Sequence, residues 1–353
     1  MTLSVGQLNP ASMLLPTGGT KSQPDTFSKE KLQESLDTAF KTVVMPVSAV
    51  STISSLSSFI MTNVFKIENE FVDKLASITN RLAYFVNGIY GGTDNAVSKN
   101  TPGTVGYSLV ALASVMGDKD TVYQLKGPGS SIDQLPGMLE DVAYNPKIKE
   151  IYKLEDGKEK TFNKYKGFWD SLEKTFTSFR VVCVDIAKDF FNETKSGGII
   201  NAFKKVFISG ERTAEKNLVV SSLGLMLGSL LYIGTGFKKL GSSIRDLSGM
   251  HADLSLWNKG SSHSQDGKAT GAGNLKYKFS GILYTLGSAV DLIYRWTGLD
   301  KLELAAVGLD NAGFMFMNWA NATDNRANSK NEKTQKVENQ PAIPQIAAVS
   351  AVT

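Results

Sequence analysis

The chain has 353 residues, 42% hydrophobic and 20% charged, which excludes a wholly disordered or collagen-like polymer and leaves room for two or three compact units. Its 38 basic and 34 acidic residues leave a net charge of +4. They are scattered rather than gathered into the stripe that would neutralise a phosphate backbone, so nucleic acid is not an expected partner. A mean hydropathy of −0.11 is too low for a chain embedded along its whole length and fits one or a few membrane segments sharing the chain with polar parts.

Residues 1–27 mix Ser, Thr, Pro and Gly and read as a disordered tail. Met13, Leu14 and Leu15 are followed at once by Pro16, Gly18 and Gly19, so no cleavable signal peptide is expected. An N-terminal helical region is expected over 28–158. It opens with Ser28 as N-cap and Leu32, Leu36 and Phe40 on one helix face. Pro46 interrupts or restarts the helix, and one extended helical pattern then runs from Val47 to Tyr90. Thr42 to Phe65 is charge-free for 24 residues, but eleven of them are Ser, Thr, Asn or Pro, which favours a buried helix over a span. Further on, Val64, Ile67, Phe71, Leu75, Ile78, Leu82, Phe85 and Ile89 recur by threes and fours. That is the seam of a coiled-coil or bundle helix, with Glu68, Asp73, Lys74 and Arg81 turned away from the partner.

Gly91-Gly92 is expected to end that helix, and the apolar stretch from Val105 to Met116 is too short to span and reads as a core helix. The loop-rich stretch 118–160 carries a short helix around Leu135 to Tyr144 and marks a boundary near 158. A C-terminal helical region is expected over 159–322. Its first helix sets Phe168, Trp169, Leu172, Phe176, Phe179, Cys183, Ile186 and Phe190 against Asp170, Glu173, Lys174, Arg180, Asp185 and Lys188, and Gly197-Gly198 stops it. Ile199 to Ile208 is a short basic amphipath that suits an in-plane helix leading into a span, or a surface helix of a soluble bundle.

From Asn217 to Phe237 the chain carries no charge for 21 residues, fenced by Lys216, Lys238 and Lys239. As a helix it measures roughly 31 Å, near the hydrocarbon thickness of a bilayer. This is the candidate transmembrane helix, or the apolar arm of a buried hairpin. Its Gly224 and Gly228 form a GxxxG pair, and with Leu218, Leu227, Leu231 and Tyr232 they make the candidate membrane and helix-packing set. A Gly/Ser linker is expected over 260–273, then helices over 278–297, stopped by Gly298, and over 303–322. Asp291, Arg295 and Asp310 in these helices are expected to sit in water. The Asn-, Lys- and Glu-rich stretch over 323–353 reads as a second disordered tail.

The fold class is therefore all-α: an elongated bundle of amphipathic helices with one strongly apolar helix and a tail at each end. Cys183 is the sole cysteine, which rules out an internal disulfide or a thiolate metal cluster. His251 and His263 lie in polar stretches without metal-ligand spacing, and Gly127-Pro128-Gly129 lacks the Lys-Ser/Thr of a phosphate loop. No catalytic, cofactor-binding or metal residue is named, and an enzyme is not expected. The expected function is that of a non-enzymatic, membrane-associated helical protein with a structural, scaffolding or interaction role. Its partners would be a lipid membrane and either a protein or a second copy, held through the amphipathic helices. The alternative is a soluble protein that inserts on demand as a pore-former or translocator.

Overall fold

The computed structural model describes residues 29–97, 101–116, 128, 129, 131, 132, 135, 138, 139, 142–162, 168–262 and 271–338. The expected N-terminal tail lies outside them, as do 339–353, most of the loop before Tyr144 and the core of the expected linker. The described residues are helical and contain no strand.

Helix α1 (Lys29–Ala39) passes through a single wide π-turn (Phe40–Val44) into α2 (Met45–Asn63). Pro46 explains the wide turn. It has no N–H to return to Thr42, and the turn closes one residue earlier, where Met45 N–H donates to Phe40 O. The expected continuous helix from Val47 to Tyr90 is two antiparallel helices. Residues 64–69 break it, Lys66 takes a left-handed φ of 57°, and α3 (Glu70–Val97) restarts where Asn69 Oδ1 accepts from the N–H groups of Phe71 and Val72. Gly91-Gly92 does not end α3. Both glycines are buried inside the helix, where the Tyr107 ring of α4 (Thr101–Met116) lies on Gly91.

The second half begins with α5 (Pro146–Tyr152), capped by Asn145, and α6 (Phe168–Lys204). Gly198, at φ 80° and ψ 170°, kinks α6 rather than stopping it, in a conformation that an L side chain rarely adopts. A π-turn (Lys205–Ser209) then leads to α7 (Thr213–Gly234), α8 (Lys238–Ser262), α9 (Gly271–Thr297) and α10 (Leu302–Glu338). Helix α8 runs on to Ser262, into the stretch expected to be linker. Helix α10 likewise continues past Ala322 to Glu338, into the stretch expected to be tail. Arg326 pairs there with Asp37 of α1, and Lys276 Nζ of α9 donates to Thr323 Oγ1 at 2.7 Å.

Helices α7, α8 and α9 pack in sequence order, and α9 lies along α10. Helix α10 also packs on α2 and α3, so the packing runs across the boundary expected near 158. Through its first five turns α10 is buried almost all round, which makes it the central shaft of the bundle. A separate apolar cluster joins Met138, Leu139, Val142 and Ile148 to Val181 and Val182 of α6 and to Leu218 and Val219 of α7.

The helices approach one another across small residues. A Cβ on Gly228 of α7 would stand 2.6 Å from Arg245 N and 2.7 Å from Gly241 O of α8, and one on Gly241 would stand 2.5 Å from Tyr232 N. The two backbones are in contact there, and only glycine leaves room. Gly228→Ala should therefore lower stability by about 1–3 kcal/mol. Gly234→Ala, with nothing within 4 Å of the added carbon, should be neutral or stabilise by about 0.5–1 kcal/mol. Thermal unfolding of the two variants under one set of conditions checks the contrast, and equal shifts would contradict the backbone contact.

Candidate membrane-facing surface

The side of α2 that faces α3 and α10 is a comb of serines. Ser48, Ser51, Ser54, Ser55 and Ser58 recur at helical spacing and are buried, three of them completely. Asn80 Oδ1 of α3 accepts from Ser51 Oγ at 2.5 Å and from Ser55 Oγ at 3.1 Å. Asn87 Nδ2 donates to Ser48 Oγ at 2.8 Å, and Ser58 Oγ donates to Asp73 Oδ1 at 2.5 Å. Helix α10 closes the set: Asn311 Nδ2 donates to Ser51 Oγ and to the Asn80 carbonyl, and Asn318 Nδ2 donates to the carbonyl and side-chain oxygens of Asn87. Thr52 Oγ1 donates to Gly308 O at 2.9 Å, and Tyr84 OH donates to Asp310 Oδ2 at 2.6 Å.

Charge is buried in the C-terminal half as well. Asp246 and Asp291 lie between α8 and α9 and are 0% and 1% exposed. Arg245 pairs with both carboxylates, Arg295 Nε lies 3.3 Å from Asp291 Oδ2, and Ser242 Oγ donates to Asp291 at 3.2 Å. The expectation that Asp291, Arg295 and Asp310 sit in water is overturned. Each meets a hydrogen-bonding or charged partner on a neighbouring helix or on its own, which offsets part of the cost of burial.

The outer surface is the complement. On α3 the expected seam residues Phe71, Ile78, Leu82, Phe85 and Ile89 are exposed, Phe71 at 74% and Ile78 at 65%. Val64 and Ile67 lie in the break before the helix. The face that packs is Ala76, Thr79, Asn80, Ala83, Tyr84, Asn87 and Gly88. Apart from the half-buried Leu75, the seam residues of α3 face away from the described helices. Small and amide side chains let α3 come close to α2 and hydrogen-bond to it, which bulky seam residues would prevent. Val50, Ile53 and Ile60 on α2, Val105, Leu109, Leu112 and Val115 on α4, and Phe279, Ile282, Leu286 and Ile293 on α9 also face outward. Helix α6 departs from expectation in part: Phe179, Cys183 and Ile186 pack on the apolar cluster as expected, but Trp169 and Phe176 are exposed, while Lys174, Ser178, Val181, Val182 and Asp185 are buried. Its packed side is turned toward the Asn145 cap and the start of α7.

The candidate set on α7 divides between these two surfaces. Leu218 is buried in the apolar cluster with Met138 and Val182. Gly224 rests on Ser248, Gly228 on Gly241 and Arg245, and Tyr232 is buried with Lys238 and Arg295 over its ring. Leu227 is exposed, alongside Leu223, Met226, Leu230 and Ile233, and Leu231 lies between the two sides. Among the described residues two helical stretches are long and apolar enough to cross a membrane, Lys31–Asn63 and Glu215–Gly234, with a third and a half of their apolar windows buried. A core helix of a soluble protein would pass the same test of length and composition.

At the foot of α7 a polar knot ties the chain to α6. Asn145 Nδ2 donates to Glu215 Oε1, Arg212 reaches Glu215 and Asp185, Lys147 pairs with Asp185, and Lys216 Nζ lies 2.7 Å from Asp189. Burial alone would push the Asp185 carboxyl up. Hydrogen bonds from Lys147 and Asn145, with the charges of Lys147 and Arg212, outweigh it and hold the carboxyl below the usual range. Burial pushes the Cys183 thiol up, which suits an inert side chain. Among the described residues no three His, Cys, Asp or Glu side chains are grouped to hold a metal. No protein family, curated protein or solved structure matches the chain.

Two outcomes follow from the buried charges. Asp291→Ala takes away the buried carboxylate that Arg295 and Arg245 share, leaving Arg245 to Asp246, and should cost about 3 kcal/mol, whereas Glu70→Ala, which removes an exposed partner of Lys74, should change little. Chemical unfolding of both variants checks this. Because the Asp185 carboxyl is depressed, its stabilisation is complete above its unfolded value of about 4 and is lost as pH falls through the folded value. Asp185→Asn should therefore be less stable than the natural chain at neutral pH, and the difference should shrink on acidification. Melting temperatures across that range read it out, and a pH-independent difference would refute it.

Proposed function

We propose that this chain is a non-enzymatic, membrane-associated helical protein with a structural or interaction role, its bundle set in lipid. One observation carries the reading: serines, asparagines and charges share the interior with the apolar clusters, while many large Phe, Leu, Ile and Val side chains stand outside. In water this ordering is unfavourable, since each large apolar side chain left exposed forgoes about 1.5–3 kcal/mol. In a bilayer the penalty vanishes, because lipid is as apolar as a leucine core and helix association rests on close approach and interhelical hydrogen bonds. Exposed apolar side chains recurring along α2, α3, α4, α7 and α9 suit a membrane or partner contact. The exposed α3 seam fits, within the same reading, a protein partner or a second copy.

The half-buried state of the apolar run on α7 favours a second reading, a soluble protein that inserts on demand. Carbonate extraction of cells expressing the natural chain separates the two. Retention in the membrane pellet is expected. Recovery as a soluble monomer would overturn the membrane-resident reading in favour of the second. Replacing only the outward Leu223, Leu227, Leu230 and Ile233 with serine, which keeps the Gly224/Gly228 side intact, should shift a measurable fraction to the supernatant. Unchanged retention would remove α7 from the membrane contact.

A further inference from the structure

The kink of α6 at Gly198 turns the chain into an elbow whose inner and outer sides differ in kind. On the inner side Ala202 and Val206 are buried, Phe207 meets His251 ring to edge at 5.3 Å, and Asn217 Nδ2 donates to Phe207 O at 3.0 Å. These contacts fix the elbow at the level where α7 begins, beside the Lys216 end of the apolar run. On the outer side Ile199, Ile200, Phe203 and Ile208 stand exposed, Ile200 at 87%. Behind them, before the kink, lies an open hollow of about 560 Å³ lined by Ile186, Ala187, Phe190, Phe191, Thr194 and Ile199.

The charge around this apolar tip is one-sided. Residues 186–208 hold four lysines and two carboxylates. Both carboxylates are engaged, Glu193 with Lys205 and Asp189 with Lys216. Lys188, Lys195 and Lys204 have no carboxylate partner among the described residues, and Lys195 Nζ lies 4.2 Å over the ring of Phe191 at the rim of the hollow. An apolar tip ringed by unpaired lysines, held level with the end of an apolar helix, matches the boundary between acyl chains and phosphate headgroups.

We propose that the elbow around Gly198 is an in-plane anchor: Ile199, Ile200 and Phe203 enter the acyl region of a leaflet, and Lys195 and Lys204 engage the phosphates of its anionic lipids. The inference rests on the membrane reading above and deepens it by fixing which end of α7 meets the anionic leaflet. Where Lys/Arg counts at the two ends of the run do not set its orientation, the elbow does.

The test uses the full chain carrying Cys183→Ser and a single environment-sensitive label, at Ile200→Cys or, in a companion protein, at Leu227→Cys. Each is reconstituted into phosphatidylcholine vesicles with and without phosphatidylglycerol. In the anionic vesicles the label at 200 is expected to be quenched by a nitroxide placed shallow on the acyl chain and shielded from aqueous iodide. Lys195→Gln and Lys204→Gln should each weaken this insertion about fivefold at low salt. If the label at 227 is quenched by lipid while that at 200 remains open to iodide, the elbow inference falls and the membrane reading stands. If neither label meets lipid, the membrane reading itself falls. A label at 200 shielded from both quenchers is covered by protein and overturns the anchor. Insertion indifferent to phosphatidylglycerol and to both lysines overturns the assignment to anionic lipid.

Discussion

Helix α10 must be touched on nearly every side, and the rest of the structure follows from how that is done. Its neighbours reach it by hydrogen bonds as well as by ring contacts: Asn311 and Asn318 tie α2 and α3 to it, Asp310 receives Tyr84, Ser280 of α9 donates to Gly313 O at 2.8 Å, and Phe314 packs between Tyr84 and Tyr107. Amide and hydroxyl groups satisfy one another only at short range and in one register. The helices therefore carry Ser, Gly, Ala and Asn on their inner sides, and the large apolar residues are displaced outward. An interior of interlocked hydroxyls and amides sacrifices apolar burial and gains a unique arrangement, a trade that costs little where the surroundings are themselves apolar.

The buried ion pairs obey the same constraint. Arg245, Asp246, Asp291 and Arg295 would be a poor source of net stability in a soluble core, since desolvation offsets most of their attraction. Between apolar helices their value is directional. An arginine fork between two carboxylates on α8 and α9 sets the rotation of one helix against the other more sharply than leucine contacts do.

Fold class and most helix positions were legible in the sequence because periodicity and glycine or proline punctuation are local signals. Which side of each helix faces inward was not. The reading assumed that apolar residues go inside, and for Phe71, Ile78 and Phe85 that assumption inverted the packing. The contrary signal was present: Ser48, Ser51, Ser55 and Ser58 recur at the same three- and four-residue spacing as a hydrophobic stripe, and Ala76, Thr79, Asn80, Ala83 and Asn87 do so on α3. The GxxxG pair on α7 was visible, but its partner Gly241 was not, because nothing local links residues on opposite arms of a hairpin. The persistence of α10 past Ala322 was hidden for a similar reason. The start of that polar stretch meets α1 through Arg326 and Asp37, a contact across the bundle that no local pattern announces.

The π-turn at Phe40–Val44 bears on how Leu36, Phe40, Val44 and Ser48 come to share one inward side. On an ideal α-helix each step of four residues advances about 40° beyond a full turn, so three such steps would carry the side through about 120°. Ser48 would then point outward while Leu36 still pointed in. The extra residue taken up by the wide turn absorbs much of that drift. The apolar contacts that Leu36, Phe40 and Val44 make near Tyr90 and Met315 thus continue into the serine comb as one stripe. A helix with a single loosened turn carries two chemistries in phase, and losing one residue there would put them out of step.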